Sequence, residues 1–161
     1  MVQITIEYMI MIPILIMQIF LFPLTAGWIM NTWVDSRQTL ALQETASHVG
    51  STIQQVYSAL NHDSIATCAV NISLPVTPFI EGYAYKGNAS LRGDLAPNSS
   101  QILDITLKFV GGSIETTTSV TLGLNVGWDS TSEFISNSTY ASLNADKLPN
   151  GTILLYFEGV D

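Results

Sequence analysis

The chain has 161 residues and a formal net charge of -8, enough for one modest domain plus an appendage. Residues 1–60 hold three acids against Arg37, and residues 61–161 hold ten acids against Lys86, Arg92, Lys108 and Lys147. With no basic stripe, nucleic acid is not an expected partner, and a single cysteine, Cys68, excludes both an intrachain disulfide and a multi-cysteine metal centre.

The first predicted element begins near Gln3. Residues 4–34 are apolar with few interruptions, and as a helix such a stretch rises about 45 Å at 1.5 Å per residue, more than the ~30 Å core of a bilayer. It is not an ordinary secretory signal, because it lacks a basic start and a small-residue cleavage site and its apolar region is too long. Pro13 and Pro23 each remove one helical hydrogen bond, which predicts a kink or a local loosening. Inside a bundle, neighbours can cover the freed carbonyls, so the prolines point to a helix with protein partners. Glu7 is the one carboxylate in the apolar part. A carboxylate in hydrocarbon costs roughly 2.5–3.5 kcal/mol on insertion scales, so it either sits at headgroup level or pairs with a cation, such as the α-amino group of a neighbouring copy. Such a pair sets axial register better than it adds net stability.

From residue 35 to 60 the pattern changes. Leu42, Ala46, Val49, Ile53, Val56 and Leu60 recur at three- and four-residue steps, which predicts an amphipathic continuation of the same helix. A single long helix over about 3–60 follows, ended by the turn-prone residues 61–64, with Gly50 weakening it by ~1 kcal/mol relative to Ala.

From residue 66 the apolar period becomes two. Cys68 reads as a small buried residue at a strand start, with an intersubunit disulfide as the sharper alternative. In "CAVNISLPV", Val70, Ile72, Leu74 and Val76 share a face. In "ILDITLKFV", Leu103, Ile105, Leu107 and Phe109 alternate with polar residues, and Gly111-Gly112 reads as a two-residue hairpin turn. The next run, "SIETTTSVTLGLNV", puts Ile114, Thr116, Thr118, Val120, Leu122, Leu124 and Val126 on one side. Near the C-terminus "GTILLYFEG" is apolar on both faces, which predicts a central strand or one packed on the long helix. The expected fold is α+β: a long hydrophobic N-terminal helix, then a small antiparallel β-sheet or β-sandwich head. Three zones are expected: 1–34 as the hydrophobic helix, 35–64 as its amphipathic second half, and 65–161 as an extracellular β-rich domain whose supporting helix projects its first half alone.

No catalytic set is found. His48 and His62 lack further ligands at metal-binding spacing, and there is no nucleophile elbow, phosphate loop or dinucleotide fingerprint. No enzyme, cofactor or metal is expected. Five Asn-x-Ser/Thr sequons, at Asn71, Asn88, Asn98, Asn137 and Asn150, all lie after residue 61. They are either compositional accidents of a Ser/Thr-rich chain or a glycosylated extracellular surface, with Asn98 and Asn150 in loop-like stretches as the best candidates for N-linked glycans.

The run "QITIEYMIM" resembles the start of mature type IV pilins, above all the archaeal class with the pattern Gln-x-Ser-x-Glu-x-x-x-Leu, to which Gln3, Thr5 for Ser, Glu7 and Met11 for Leu fit. "IEYMIMIPILIM", with its Pro13, is also similar to tight-adherence pilin-like proteins. The resemblance covers about the first 30 residues closely, the helix-plus-β layout loosely, and no motif of the β-domain. It implies a subunit that waits in the cytoplasmic membrane, is assembled by pilus machinery with identical copies into an extracellular filament for adhesion or cell contact, and uses Gln3, Thr5, Glu7, Met11, Pro13 and Pro23 in assembly. Only Met1 and Val2 precede Gln3, whereas pilin precursors carry a short basic leader, so a leader is either removed upstream of Met1 or never cut. A membrane-anchored β-domain that binds a partner without polymerising, and an archaellum filament subunit, fit the same pattern.

Overall fold

The computed structural model describes residues 2–92 and 99–159, with side chains described from Met9 onward. The fold is α+β. One helix, α1 (Val2–Leu60), runs through both prolines and is followed by eight strands. Two compact units divide the chain, Met1–Arg37 and Gln38–Asp161, so the second half of α1 belongs to the same unit as the strands.

In the second unit the strands form two four-stranded sheets. The first contains β1 (Cys68–Ser73), β5 (Val126–Trp128), β7 (Ser142–Lys147) and β8 (Ile153–Glu158), in the order β1-β7-β8-β5. The second contains β2 (Tyr85–Leu91), β3 (Ile102–Phe109), β4 (Glu115–Thr121) and β6 (Glu133–Ile135), in the order β4-β3-β2-β6. All pairings are antiparallel except β5 with β8, which is parallel, so the head is antiparallel-rich rather than wholly antiparallel. The terminal apolar run is the central β8, flanked by β7 and β5.

The period-two faces meet in one core. Leu103, Ile105, Leu107 and Phe109 of β3 are buried, and Leu143, Ala145, Ile153, Leu155 and Phe157 cover the facing side of the first sheet. Phe134 of β6 meets Phe157 of β8 edge-on at 4.9 Å, a favoured geometry for aromatic rings. The helix closes the rest of this core with the predicted stripe: Leu42, Ala46, Val49, Ile53, Val56 and Leu60 are all buried. Gly50 is there for close approach. A Cβ on it would lie 2.6 Å from Cγ2 of Val120 on β4 and 3.5 Å from Cδ1 of Ile105 on β3. The helix ends where Lys147 of β7 donates from Nζ to the carbonyls of Leu60 at 2.7 Å and His62 at 3.0 Å. A cation at a helix C-terminus satisfies orphan carbonyls and suits the helix dipole, so it ties α1 to β7.

Three expectations are corrected. Cys68 starts β1 on the side of Val70 and Ile72 but is exposed, because it stands at the outer end of an edge strand. The β3–β4 connection is a four-residue loop over 110–113, closed by Phe109 N–H to Ile114 O at 3.2 Å and Gly112 N–H to Phe109 O at 3.2 Å, with only Gly111 at positive φ. The two-residue turn with positive φ at both central positions lies instead at Glu81 and Gly82 (φ 50° and 87°), between the reciprocally bonded Ile80 and Tyr83. Finally, the run over 113–126 is not one strand. It stops at Thr121, leaves Leu124 53% exposed, and resumes as β5 in the other sheet. Gly123 permits the break, since a Cβ there would collide with the hydroxyl end of Tyr57 on α1.

Candidate assembly helix and polar surfaces

In the first unit every residue from 9 to 33 is exposed, and the exposure runs round the whole helix: Met9 is 74% exposed, Ile19 67%, Phe22 76% and Trp28 71%. A helix that is apolar on all sides needs burial on all sides, in lipid or among other chains. No charged side chain occurs over residues 9–34, about 39 Å of helix at 1.5 Å per residue. The helix is long and apolar enough to cross a membrane and is compatible with insertion in one.

The polar groups in this stretch are arranged for an apolar surrounding. Thr25 donates to Leu21 O at 3.1 Å and Phe22 O at 3.0 Å, Thr32 to Trp28 O at 3.0 Å, and Ser36 to Thr32 O at 2.8 Å. These bonds hide the hydroxyls against the helix's own backbone. Gln18 and Asn31 lack such an acceptor, and a carboxamide in this position is the kind of group that hydrogen-bonds across to another helix. Pro13 and Pro23, both inside α1, leave the carbonyls of Met9 and Ile19 without their usual donors. At the far end of the unit the Arg37 guanidinium lies 4.8 Å from the Trp33 ring centre. An aromatic–cation pair at the first charges after the apolar run suits a membrane–water boundary.

Of the predicted assembly residues, Gln3, Thr5 and Glu7 lie in the first turns of α1, and their side chains fall outside the described ones. Met11 is 58% exposed on the apolar helix. Compared with protein-family models, curated proteins and solved structures, the chain matches none.

The β-domain carries its polar groups on the outer faces of the two sheets. On the second sheet Arg92 grips Asp104 with Nε and Nη2 of its guanidinium, at 2.8 to 3.1 Å, and Ser119 donates to the same carboxylate at 2.6 Å. The Ser119 hydroxyl first and Arg92 second hold the Asp104 carboxyl below its ordinary range. Lys86 pairs with Glu133 at 3.6 Å and Lys108 with Glu115 at 3.5 Å. On the first sheet Asn71 Nδ2 donates to Asn144 Oδ1 at 2.6 Å and to Ser142 Oγ at 3.3 Å, and Asn144 Nδ2 donates to Glu158 Oε2 at 2.8 Å. This network joins three strands, and no short sequence motif announces it.

Four sequons lie in described segments. Asn88 is exposed on β2, and Asn137 and Asn150 are exposed in turns. Asn150 Oδ1 accepts from the Thr152 N–H at 3.0 Å across its own sequon, while the Nδ2 of exposed Asn71 is committed to the network above. Asn98 lies outside the described residues. His48 is paired with Glu44 at 3.9 Å on the helix surface and His62 with Ser64 at 3.0 Å in the following turn. Among the described residues no group of three or more His, Cys, Asp or Glu side chains converges as metal ligands would.

Proposed function

We propose that this chain is a structural subunit of an archaeal type IV pilus-like surface filament, held in the cytoplasmic membrane before assembly and used for adhesion or cell contact. The observation that carries the proposal is the uninterrupted exposure of residues 9–33 round an uncharged apolar helix, continuous in sequence with a polar β-domain. Burying one Leu- or Ile-sized side chain is worth ~1.5–3 kcal/mol against water. About twenty of them give tens of kcal/mol per subunit before entropic costs. A bilayer supplies that burial before assembly, and a bundle of identical helices supplies it afterwards. The two prolines, Gln18 and Asn31 support the bundle as the final state, because lipid offers no donor or acceptor to the groups they leave open. The pilin-like start "QITIEYMIM" supports the same reading.

In this reading Glu7 sets axial register against a cation of the neighbouring copy. Glu7→Ala is expected to remain membrane-inserted, as judged by flotation, while filament yield falls by about tenfold, the equivalent of one lost ~1.4 kcal/mol interaction per subunit. Filaments at wild-type yield would refute the register role. The rival reading, a membrane-anchored β-domain that never polymerises, draws on the same helix. Electron microscopy of surface appendages separates the two, and a swimming defect on deletion would favour an archaellum subunit.

The β-domain is proposed to carry N-linked glycans. Glycopeptide mass spectrometry of native material is expected to find sugar on at least two of Asn71, Asn88, Asn98, Asn137 and Asn150. Asn137 and Asn150 should lead among the described sites, because they are exposed in turns. Asn71 should be the least occupied of these, because its amide already donates to Asn144 and Ser142. Unmodified peptides at all five sequons would end this part of the proposal.

A further inference from the structure

The outer side of the first sheet opens into a cleft of about 550 Å³ beside the turn that joins β6 to β7, within the size range of small-ligand sites. Its floor is ordered by a chain of hydrogen bonds whose direction is fixed from one end. The Glu158 carboxylate only accepts, so Asn144 must turn its amide nitrogen toward it, and the bond is 2.8 Å. That leaves Asn144 Oδ1 to accept from Asn71 Nδ2, and Ser142 Oγ takes a second bond from the same nitrogen. Asn144 and Ser142 are each only 7% exposed, so this arrangement is held firmly. Asn71, Glu158 and Ser142 line the cleft, and the bonds above leave Oδ1 of Asn71, the second oxygen of Glu158 and the hydroxyl proton of Ser142 unused.

The remaining walls differ in character. Leu74 gives an apolar side, and Tyr140, 70% exposed, stands at the lip with its ring uncovered. Among the described residues the lining carries Glu158 and no lysine or arginine, which disfavours an anionic ligand. One of the two Glu158 oxygens is already occupied by Asn144, and among the described residues no second acid lines the cleft, which makes a poor cation site. Fixed carboxamide and carboxylate acceptors, a hydroxyl donor, one apolar wall and an accessible aromatic face suit a ligand with hydroxyls on its edges and C–H groups on its faces. From this geometry we infer that the cleft binds a neutral oligosaccharide, with Asn71 and Glu158 accepting from adjacent hydroxyls and Tyr140 covering one sugar face. This inference is independent of the filament proposal, since every group in it lies in the β-domain, but it requires Asn71 to carry no glycan and a cleft left open where Asn137 carries one, both of which are sequons that line it.

The test is calorimetric titration of the full-length chain, made in a host without N-glycosylation so that Asn137 at the lip stays bare. The chain is held in lauryldimethylamine oxide, because sugar-headgroup detergents would compete. The probes are maltotetraose, mannotetraose, chitotetraose and tetragalacturonate. At least one neutral probe is expected to bind, with tetragalacturonate at least about tenfold weaker. Asn71→Ala, which removes a hydrogen-bonded ligand contact, and Tyr140→Ala should each weaken the neutral probe about five- to tenfold. Tyr140→Ala is the safeguard against misfolding: the ring is exposed, so the thermal melt of that variant should match wild type. The inference is overturned if no neutral probe binds, if the uronate binds as well as they do, or if a well-folded Tyr140→Ala chain keeps wild-type affinity.

Discussion

Leu15→Lys is expected to abolish filament growth while leaving the β-domain folded. Leu15 sits in the N-terminal third of the uncharged stretch and is 50% exposed in the single chain, with the side chains of Met11, Ile12 and Ile19 one turn away on either side. A lysine there places its ammonium group within the apolar stretch. Its charge would cost roughly 2.5–3.5 kcal/mol at the centre of a bilayer on insertion scales. Among packed apolar helices it would have no partner at all, and every subunit added would repeat the penalty. Fibre counts by negative-stain microscopy, together with near-ultraviolet circular dichroism of the solubilised variant, read the two halves of this expectation. Normal fibres from Leu15→Lys would mean that this part of the helix is not packed against other copies.

Gly87→Ala should be among the most damaging single-methyl changes in the β-domain. Gly87 lies on β2 between Phe134 of β6 and Leu107 of β3, its register partners. An added Cβ would come within 2.6 Å of Phe134 Cζ and 2.7 Å of Leu107 Cδ2, and closer still to Phe134 Cε1. Neither neighbour has room to move: Phe134 is fully buried and wedged edge-on against Phe157, and Leu107 is fully buried in the central run of β3. Overpacking of this kind typically costs about 1–3 kcal/mol. For a domain of this size that corresponds to a fall of about 5–12 °C in melting temperature, readable by calorimetry of the solubilised chain. The opposing term, the ordering cost that glycine carries and alanine avoids, is at most about 1 kcal/mol and does not reverse the sign. An unchanged melting temperature would show that β2, β3 and β6 are not packed as described.

Most of the architecture was legible because its signals are local. The stripe from Leu42 to Leu60 and the alternation from Leu103 to Phe109 announce themselves within a few residues, and all of these side chains are buried. The strands that escaped reading have reasons to do so. β7 reads "SLNADK", and its buried Asn144 is polar because it serves a cross-strand network rather than the core. β2 has Gly87 where an apolar residue would have marked the pattern, because the space is filled by Phe134 from another strand. The overlong run through Leu124 kept its period across a break enforced by Tyr57, a residue more than sixty positions earlier. The functional groups divide in the same way. The apolar helix is visible in composition alone. The helix-capping role of Lys147, the Arg92–Asp104–Ser119 clasp and the Asn71–Asn144–Glu158 chain all depend on which strands become neighbours, and nothing within one segment encodes that.

The measurement that bears most directly on the proposed filament is electron microscopy of sheared surface appendages combined with mass spectrometry of the purified fibres and limited proteolysis. The expected result is regular fibres that contain this chain, in which peptides from residues 9–33 are protected while loops of the β-domain are cut. Finding the chain only as a detergent-extracted monomer, with no fibre that contains it, would contradict the account.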